Sequence, residues 1–249
     1  MGWLLIPWRL LRVLWRVLQG IWINATRLPH VDAAGRDAIV QRWATQLLRD
    51  IGVQVRVSGT LHPGPVLLVA NHVSWLDIPT LHASAPQTRF VSKSAIAHWP
   101  LVGTLARAGG TLFIERERKR DALRVVHEVA GALRERSTVA VFPEGTTGPG
   151  DVVLPFHANL LQAAIATATP VQPVVLRYSQ PGHRFSRAAQ YLGGTTLVGS
   201  LVRVIGARGI VVHVDVLPVE PAGEQERRAL AATLRARIEQ GLAASAARG

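Results

Sequence analysis

The chain has 249 residues, which fits one α/β domain with appendages better than two full domains. Its 28 Lys+Arg against 16 Asp+Glu give a formal charge of +12, and only two of those cations, Lys93 and Lys119, are lysines, so the charge is almost all guanidinium, suited to bidentate anion contacts. With 48% hydrophobic residues and a mean hydropathy of +0.20 it is too apolar for a disordered tail or an ordinary basic nucleic-acid binder, and the absence of cysteine excludes disulfides, thiolate nucleophiles and Cys-ligated metal sites.

A chain both basic and apolar suits a membrane surface. Residues 3–25 are long enough to cross a bilayer, but Arg9, Arg12 and Arg16 fall near their middle, and each costs about 2.5–3.5 kcal/mol at a helix centre. At roughly 100° per residue the three arginines share one sector with Gln19. Leu10, Leu11, Val13, Leu14, Val17, Leu18 and Ile21 fill the opposite arc, with Trp8, Trp15 and Trp22 between it and the cations. The pattern predicts a helix lying in the interface, its indoles at headgroup level and its guanidinium groups on lipid phosphates. A helix docked on its own domain and a true span are the other readings. The arginines interrupt any signal-peptide core.

Pro29 and Gly35 bracket a short linker, after which Ile39, Val40, Trp43, Leu47, Leu48 and Ile51 recur at helical spacing up to Gly52. The expected organisation is therefore a membrane-associated helical segment, residues 1–52, followed by a catalytic domain, residues 53–249. In that domain seven short runs read as strands: Val53–Val57, Val66–Ala70, Arg89–Val91, Thr111–Ile114, Val139–Phe142, Val171–Tyr178 and Val211–Val216. Helices are expected in the gaps, most clearly over Asp121–Glu135, His157–Ala168, Leu197–Ile205 and Glu224–Leu242, the last running into a frayed Ala/Gly-rich terminus. This alternation predicts an α/β fold with a mixed, mostly parallel sheet covered by helices. Neither a Walker loop, nor a dinucleotide fingerprint, nor a Gly-x-Ser-x-Gly elbow occurs.

Three clusters carry the chemistry. Asn71-His72-Val73-Ser74-Trp75-Leu76-Asp77 directly follows the apolar run Pro65–Ala70, the place where α/β folds set their sites. His72 has the side chain suited to proton transfer near neutral pH, and Asp77 can orient its ring. On a straight helix the two would lie roughly 140° apart, so they meet only if His72 sits in the turn before a helix and Asp77 in its first turns. The competing reading is structural, with His and Ser capping a helix and Asp favouring its dipole. Ser74 as a nucleophile lacks an elbow, and a metal at His72 and Asp77 lacks a third ligand. Phe142-Pro143-Glu144-Gly145-Thr146-Thr147-Gly148 follows another strand, with glycines that let a ligand approach the backbone. Gly109–Arg120 passes from strand to a mixed-charge run in which Arg116 is placed to bind an anion.

Together these clusters resemble the lysophospholipid acyltransferase family. Asn71-His72-x-x-x-x-Asp77 matches its first motif, Phe113-Ile114-Glu115-Arg116 its second, Phe142-Pro143-Glu144-Gly145-Thr146 its third and the strand around Val171-Gln172-Pro173 its fourth, in order, over residues 50–220. The resemblance implies a glycerol-3-phosphate acyltransferase-like fold with N-terminal amphipathic helices on the cytoplasmic face of a membrane. It also implies direct acyl transfer from coenzyme A or acyl carrier protein to the hydroxyl of a lysolipid acceptor. His72 would be the general base oriented by Asp77, Arg116 and Lys93 would neutralise a phosphate, and Glu144, Gly145 and Thr146 would line the acceptor pocket. No metal or organic cofactor and no nucleic-acid partner is implied. The favoured acceptor is 1-acyl-sn-glycerol-3-phosphate, with a lyso-ornithine lipid as the alternative, because Thr147 stands where many members that act on the phosphate carry Arg.

Overall fold

The computed structural model describes residues 5–114, 119–223 and 225–248. Seven strands form one sheet: β1 Val53–Ser58, β2 Leu67–Ala70, β3 Thr88–Lys93, β4 Leu112–Ile114, β5 Thr138–Val141, β6 Val171–Ser179 and β7 Ile210–Val216. Their order is β1-β7-β6-β2-β5-β3-β4. From β6 to β4 every neighbouring pair is parallel, and β7 runs antiparallel to β6 while pairing in parallel with β1. β2 lies between β5 and β6, with Leu67 opposite both Val139 and Val171. A strand so placed is covered on both faces, which is why its sequence is continuously apolar rather than alternating.

Nine helices among the described residues cover the sheet: α1 Leu5–Thr26, α2 Ala33–Ile51, α3 Asp77–Ser84, α4 Ser94–Ala97, α5 Val102–Ala108, α6 Lys119–Arg134, α7 Leu161–Ala166, α8 Leu197–Gly206 and α9 Arg227–Ala247. The period of two along β2 sends Leu68 and Ala70 to one core, shared with Leu47, Leu48 and Ile51 of α2 and Val204 and Ile205 of α8. It sends Leu67 and Val69 to the other, shared with Val129 and Leu133 of α6, Leu161 of α7 and Leu230, Leu234 and Ile238 of α9. Burial of a Leu or Ile in such a core contributes about 1.5–3 kcal/mol each.

The N-terminal helix docks the opposite way round from the expectation that its arginines meet lipid. Arg12 and Arg16 both pair with Asp50 of α2, the Arg16 Nε to Oδ2 distance being 2.9 Å, and Arg16 also donates to Gln19 and Gln46. Arg9 donates to the Ile205 carbonyl at 2.7 Å. A buried carboxylate without partners costs several kcal/mol, so two guanidinium groups on Asp50 fix the face that α1 turns inward. Ile6, Leu10, Val13 and Val17 turn toward the protein beside them. Trp8, Trp15 and Trp22 remain 60%, 64% and 53% exposed, alongside Leu11, Leu14 and Leu18. Among the described residues no helix is long and apolar enough to cross a membrane.

Three boundaries differ from the sequence-based expectation. Gly35 lies inside the first turn of α2 rather than in a linker, because Asp32 caps that helix by accepting the Gly35 N–H at 2.8 Å. The helix expected over His157–Ala168 divides into a 3₁₀ turn, Ala158–Leu160, and α7, and it stops where Ala168 takes a left-handed φ of 49°. The terminus expected to fray is helical to Ala247. Ser245 and Ala246 are buried, and Arg177 of β6 donates to Ser245 Oγ at 3.0 Å. Gly52 at the end of α2 does cap it in the left-handed conformation, φ 84°.

Candidate active site

Four parallel neighbours, β2, β5, β3 and β4, bring their carboxyl ends to one edge of the sheet. His72 follows β2, residues Glu144 to Thr146 follow β5, and Lys93 ends β3. Arg116, just beyond β4, lies outside the described residues, and so does Arg118. Ile114 of β4 pairs in register with Lys93 of β3. The edge on which sequence alone places three motifs is therefore a single edge, as expected for a crevice outside strand ends.

His72 sits in the turn before α3, and Asp77 is the first residue of that helix. His72 Nδ1 lies 2.7 Å from Asp77 Oδ2. That oxygen also accepts the backbone N–H groups of Val73, at 2.7 Å, and Ser74, at 2.9 Å, and Tyr178 donates its hydroxyl to Oδ1 at 2.6 Å. Asp77 is fully buried, whereas the His72 side chain keeps 21% of its surface open. An ionised carboxylate accepts, so Nδ1 carries the proton and Nε2 offers a lone pair. Phe142 stacks on the imidazole with ring centroids 4.2 Å apart and planes 18° from parallel. The ring is thus fixed by a hydrogen bond along one side and an aromatic face on another. Ser74, the competing nucleophile, is fully buried and serves Asp77 through its N–H.

Glu144 is buried and spends both oxygens on backbone: Oε1 accepts the His72 N–H at 2.8 Å and Oε2 the Leu154 N–H at 3.0 Å. Burial holds its carboxyl above the ordinary glutamate range, and these two hydrogen bonds offset only part of that rise. Glu144 thereby fastens the loop after β5 to the His72 turn, and the Gly148 N–H closes the same junction on the His72 carbonyl at 2.7 Å. Gly145 takes φ 71°, a conformation glycine adopts without strain. Thr146 is exposed at this edge. Thr147 donates its hydroxyl to the Tyr191 carbonyl, and the Tyr191 N–H reaches the Val73 carbonyl at 3.2 Å. The long connection between β6 and α8 is thereby strapped over the His72 turn. Lys93 is exposed and caps α4 only through its backbone position.

The acyltransferase family model matches residues 52–177. The chain belongs to the acyltransferase family. It is 38% identical over 213 residues to a Pseudomonas aeruginosa protein named lyso-ornithine lipid O-acyltransferase, covering 84% of this chain and 81% of that one. It is 37% identical over 180 residues to a Neisseria meningitidis protein named 1-acyl-sn-glycerol-3-phosphate acyltransferase, covering 72% and 69% respectively. The crystal structure of a 1-acyl-sn-glycerophosphate acyltransferase from Thermotoga maritima has the same fold, with a TM-score of 0.64 at 19% identity over 95% of this chain and 97% of that one. This acyltransferase thus has the mixed, mostly parallel sheet expected from its sequence, and it is an O-acyltransferase of lipid biosynthesis.

Two contributors to the site act through partners about 100 residues away in the sequence, and of the two only Asn71 belongs to a motif. Tyr178 is 101 residues from its partner Asp77 and sits in a fully buried strand that reads as core. Asn71 forms a pair of hydrogen bonds with the Leu176 backbone, at 2.9 and 2.8 Å, which fixes β6 against the end of β2. The nearest hint is periodicity: Leu176 and Tyr178 are two apart on one strand and so share a face.

Proposed function

We propose that this chain transfers a fatty acyl group from an acyl thioester, on coenzyme A or acyl carrier protein, to the free hydroxyl of a lysolipid at a membrane surface. The observation that carries this reading is the His72 and Asp77 pair, in which Nδ1 is held by the carboxylate and Nε2 is left as the acceptor on a side chain that is partly open. His72 takes the proton of the acceptor hydroxyl as its oxygen attacks the thioester carbonyl, and Asp77 stabilises the imidazolium. The tetrahedral intermediate collapses, the C–S bond breaks, and the proton passes from Nε2 to the departing thiolate. Two substrates suffice for this balance, and no acyl-enzyme, metal or cofactor takes part. Lys93 and Arg116 would meet the phosphate of a headgroup or donor, while Gly145 and Thr146 would line the acceptor pocket and Glu144 would hold its walls.

The acceptor we favour is a lysolipid with a weakly anionic head, such as a lyso-ornithine lipid. Where a second guanidinium would meet a phosphate monoester, Thr147 offers a hydroxyl already given to Tyr191. The 38% identity to the Pseudomonas aeruginosa protein supports the same choice. 1-Acyl-sn-glycerol-3-phosphate is the second reading, supported by the Neisseria meningitidis relative. The outward face of α1, with Trp8, Trp15 and Trp22, together with exposed Val198 and Val202 of the neighbouring α8, is the surface we assign to the cytoplasmic face of the membrane. The test offers both acceptors to the purified protein with an acyl-CoA or acyl carrier protein donor and separates the products by lipid mass spectrometry. Preferential acylation of the lyso-ornithine lipid is expected, with Thr147→Arg shifting the preference toward the phosphate acceptor. Turnover of 1-acyl-sn-glycerol-3-phosphate alone overturns the acceptor, and wild-type turnover by His72→Ala overturns the mechanism.

A further inference from the structure

We infer that Tyr178 is a positioning residue that sets the basicity of His72 through Asp77, a role that rests on the acyl-transfer reading only for its kinetic consequence. The phenol is 2% exposed, so no substrate reaches it. Its hydroxyl donates to Asp77 Oδ1 at 2.6 Å, while His72 Nδ1 and two backbone N–H groups share Oδ2. The carboxylate is therefore a four-donor hub, and each donor withdraws part of the negative charge available to the imidazolium.

The two termini of the Asn71-to-Asp77 motif are both anchored on β6. Asn71 clamps the Leu176 backbone from both its amide oxygen and its amide nitrogen. Tyr178 lies two residues on, and β6 and β2 are in parallel register with Ala70 opposite Val174. The phenol consequently arrives at Asp77 by strand geometry and not by a flexible loop. Burial and the charge of Asp77 hold the phenol well above its ordinary titration range, so it stays a donor across the working pH range. The other ionisable group facing this pair among the described residues is Glu144, from the loop after β5. Glu144 engages the His72 backbone and so acts on the turn, while Tyr178 acts on the carboxylate.

Removing the phenol hydroxyl concentrates the Asp77 charge on the remaining donors and makes His72 a stronger, less easily released base. The test compares wild type, Tyr178→Phe, which keeps the buried ring, and protein carrying 3-fluorotyrosine, a stronger donor, in a Tyr191→Phe background so that position 178 alone is labelled. Imidazole titration of His72 by NMR needs no substrate, and the acid limb of kcat/KM is measured beside it. In Tyr178→Phe both midpoints are expected to rise by about 0.5–1 pH unit, about half the worth of one hydrogen bond to a charged group, since the phenol acts on the imidazolium only through the shared carboxylate. A roughly threefold to tenfold fall in kcat and an unchanged acceptor KM accompany this shift, and the fluorinated protein moves the opposite way. A fall in stability or kcat with no shift in the His72 titration overturns the inference, as does a raised KM without that shift. A shifted titration in a protein with no acyl transfer would sustain the role of Tyr178 and sink the reaction.

Discussion

Replacing Asp77 by Asn tests the dyad at the point where the structure makes an unusual forecast. In a Ser-His-Asp hydrolase the equivalent change costs about 10⁴-fold because the imidazole adopts the wrong tautomer. Here three donors converge on Oδ2, namely His72 Nδ1 and the N–H groups of Val73 and Ser74, whereas Oδ1 faces only the rotatable Tyr178 hydroxyl. The amide oxygen of Asn must take the Oδ2 place, and its NH₂ can donate to the phenol oxygen. Nδ1 therefore keeps its proton, and the loss is the charge alone. A unit charge about 4 Å from the imidazolium at an effective dielectric of about 20 contributes about 4 kcal/mol. A neutral hydrogen bond worth about 1 kcal/mol survives. The net of about 3 kcal/mol corresponds to a turnover loss of about 10²-fold. Release of the donor thiol can be followed with a thiol-reactive dye, since the chain contains no cysteine to react with it. Turnover within threefold of wild type refutes the charge argument, and a fall of 10⁴-fold in a folded protein refutes the forced amide orientation.

Two further outcomes follow from other parts of the molecule. His82 is buried against Phe90 and burial lowers its imidazole to about 4, against about 6.5 in an unfolded chain, so its stabilising effect is complete above pH 6.5 and declines as pH falls toward 4. Denaturant unfolding should show wild type losing about 3 kcal/mol more than His82→Leu over that interval, and equal pH slopes in the two proteins would count against a neutral buried His82. Substituting Trp8, Trp15 and Trp22 together by Ser should lower vesicle binding at least tenfold while leaving the α1 to Asp50 contacts in place. Undiminished sedimentation with vesicles would remove α1 from the membrane surface.

Legibility followed the range of the interactions. All seven strands and the relation of His72 to Asp77 could be read because each rests on a local pattern: apolar runs, a five-residue spacing, a turn before a helix. The sidedness of α1 could not, although its amphipathic pattern is plain. An arginine stripe satisfies lipid phosphates and a buried Asp50 equally well by composition, and only the tertiary fold brings Asp50 within reach. Glu144 shows the same limit, since a carboxylate beside glycines reads as a ligand contact until the His72 and Leu154 N–H groups are found on it. Tyr178 is the extreme case, a contributor that nothing local in its strand links to Asp77.

The inverted docking of α1 also changes how the face proposed to meet a membrane relates to the His72 turn. Had the arginines met lipid, the helix would touch the body through its Trp and Leu face, and the site would be tethered by nonspecific apolar contact. Instead, charged and geometrically specific bonds point inward: Asp50 holds Arg12 and Arg16, and Arg9 grips the Ile205 carbonyl at the end of α8. α8 in turn receives the Trp75 Nε1–H on Ser200 Oγ at 3.0 Å, and Trp75 lies in the turn between His72 and Asp77. A directional path of hydrogen bonds therefore runs from α1 through α8 to the turn that holds His72. Directional bonds fix relative orientation where apolar contacts permit sliding. In the proposed membrane-bound state this path sets where His72 stands relative to the lipid surface, which the proposed reaction between two amphiphiles requires.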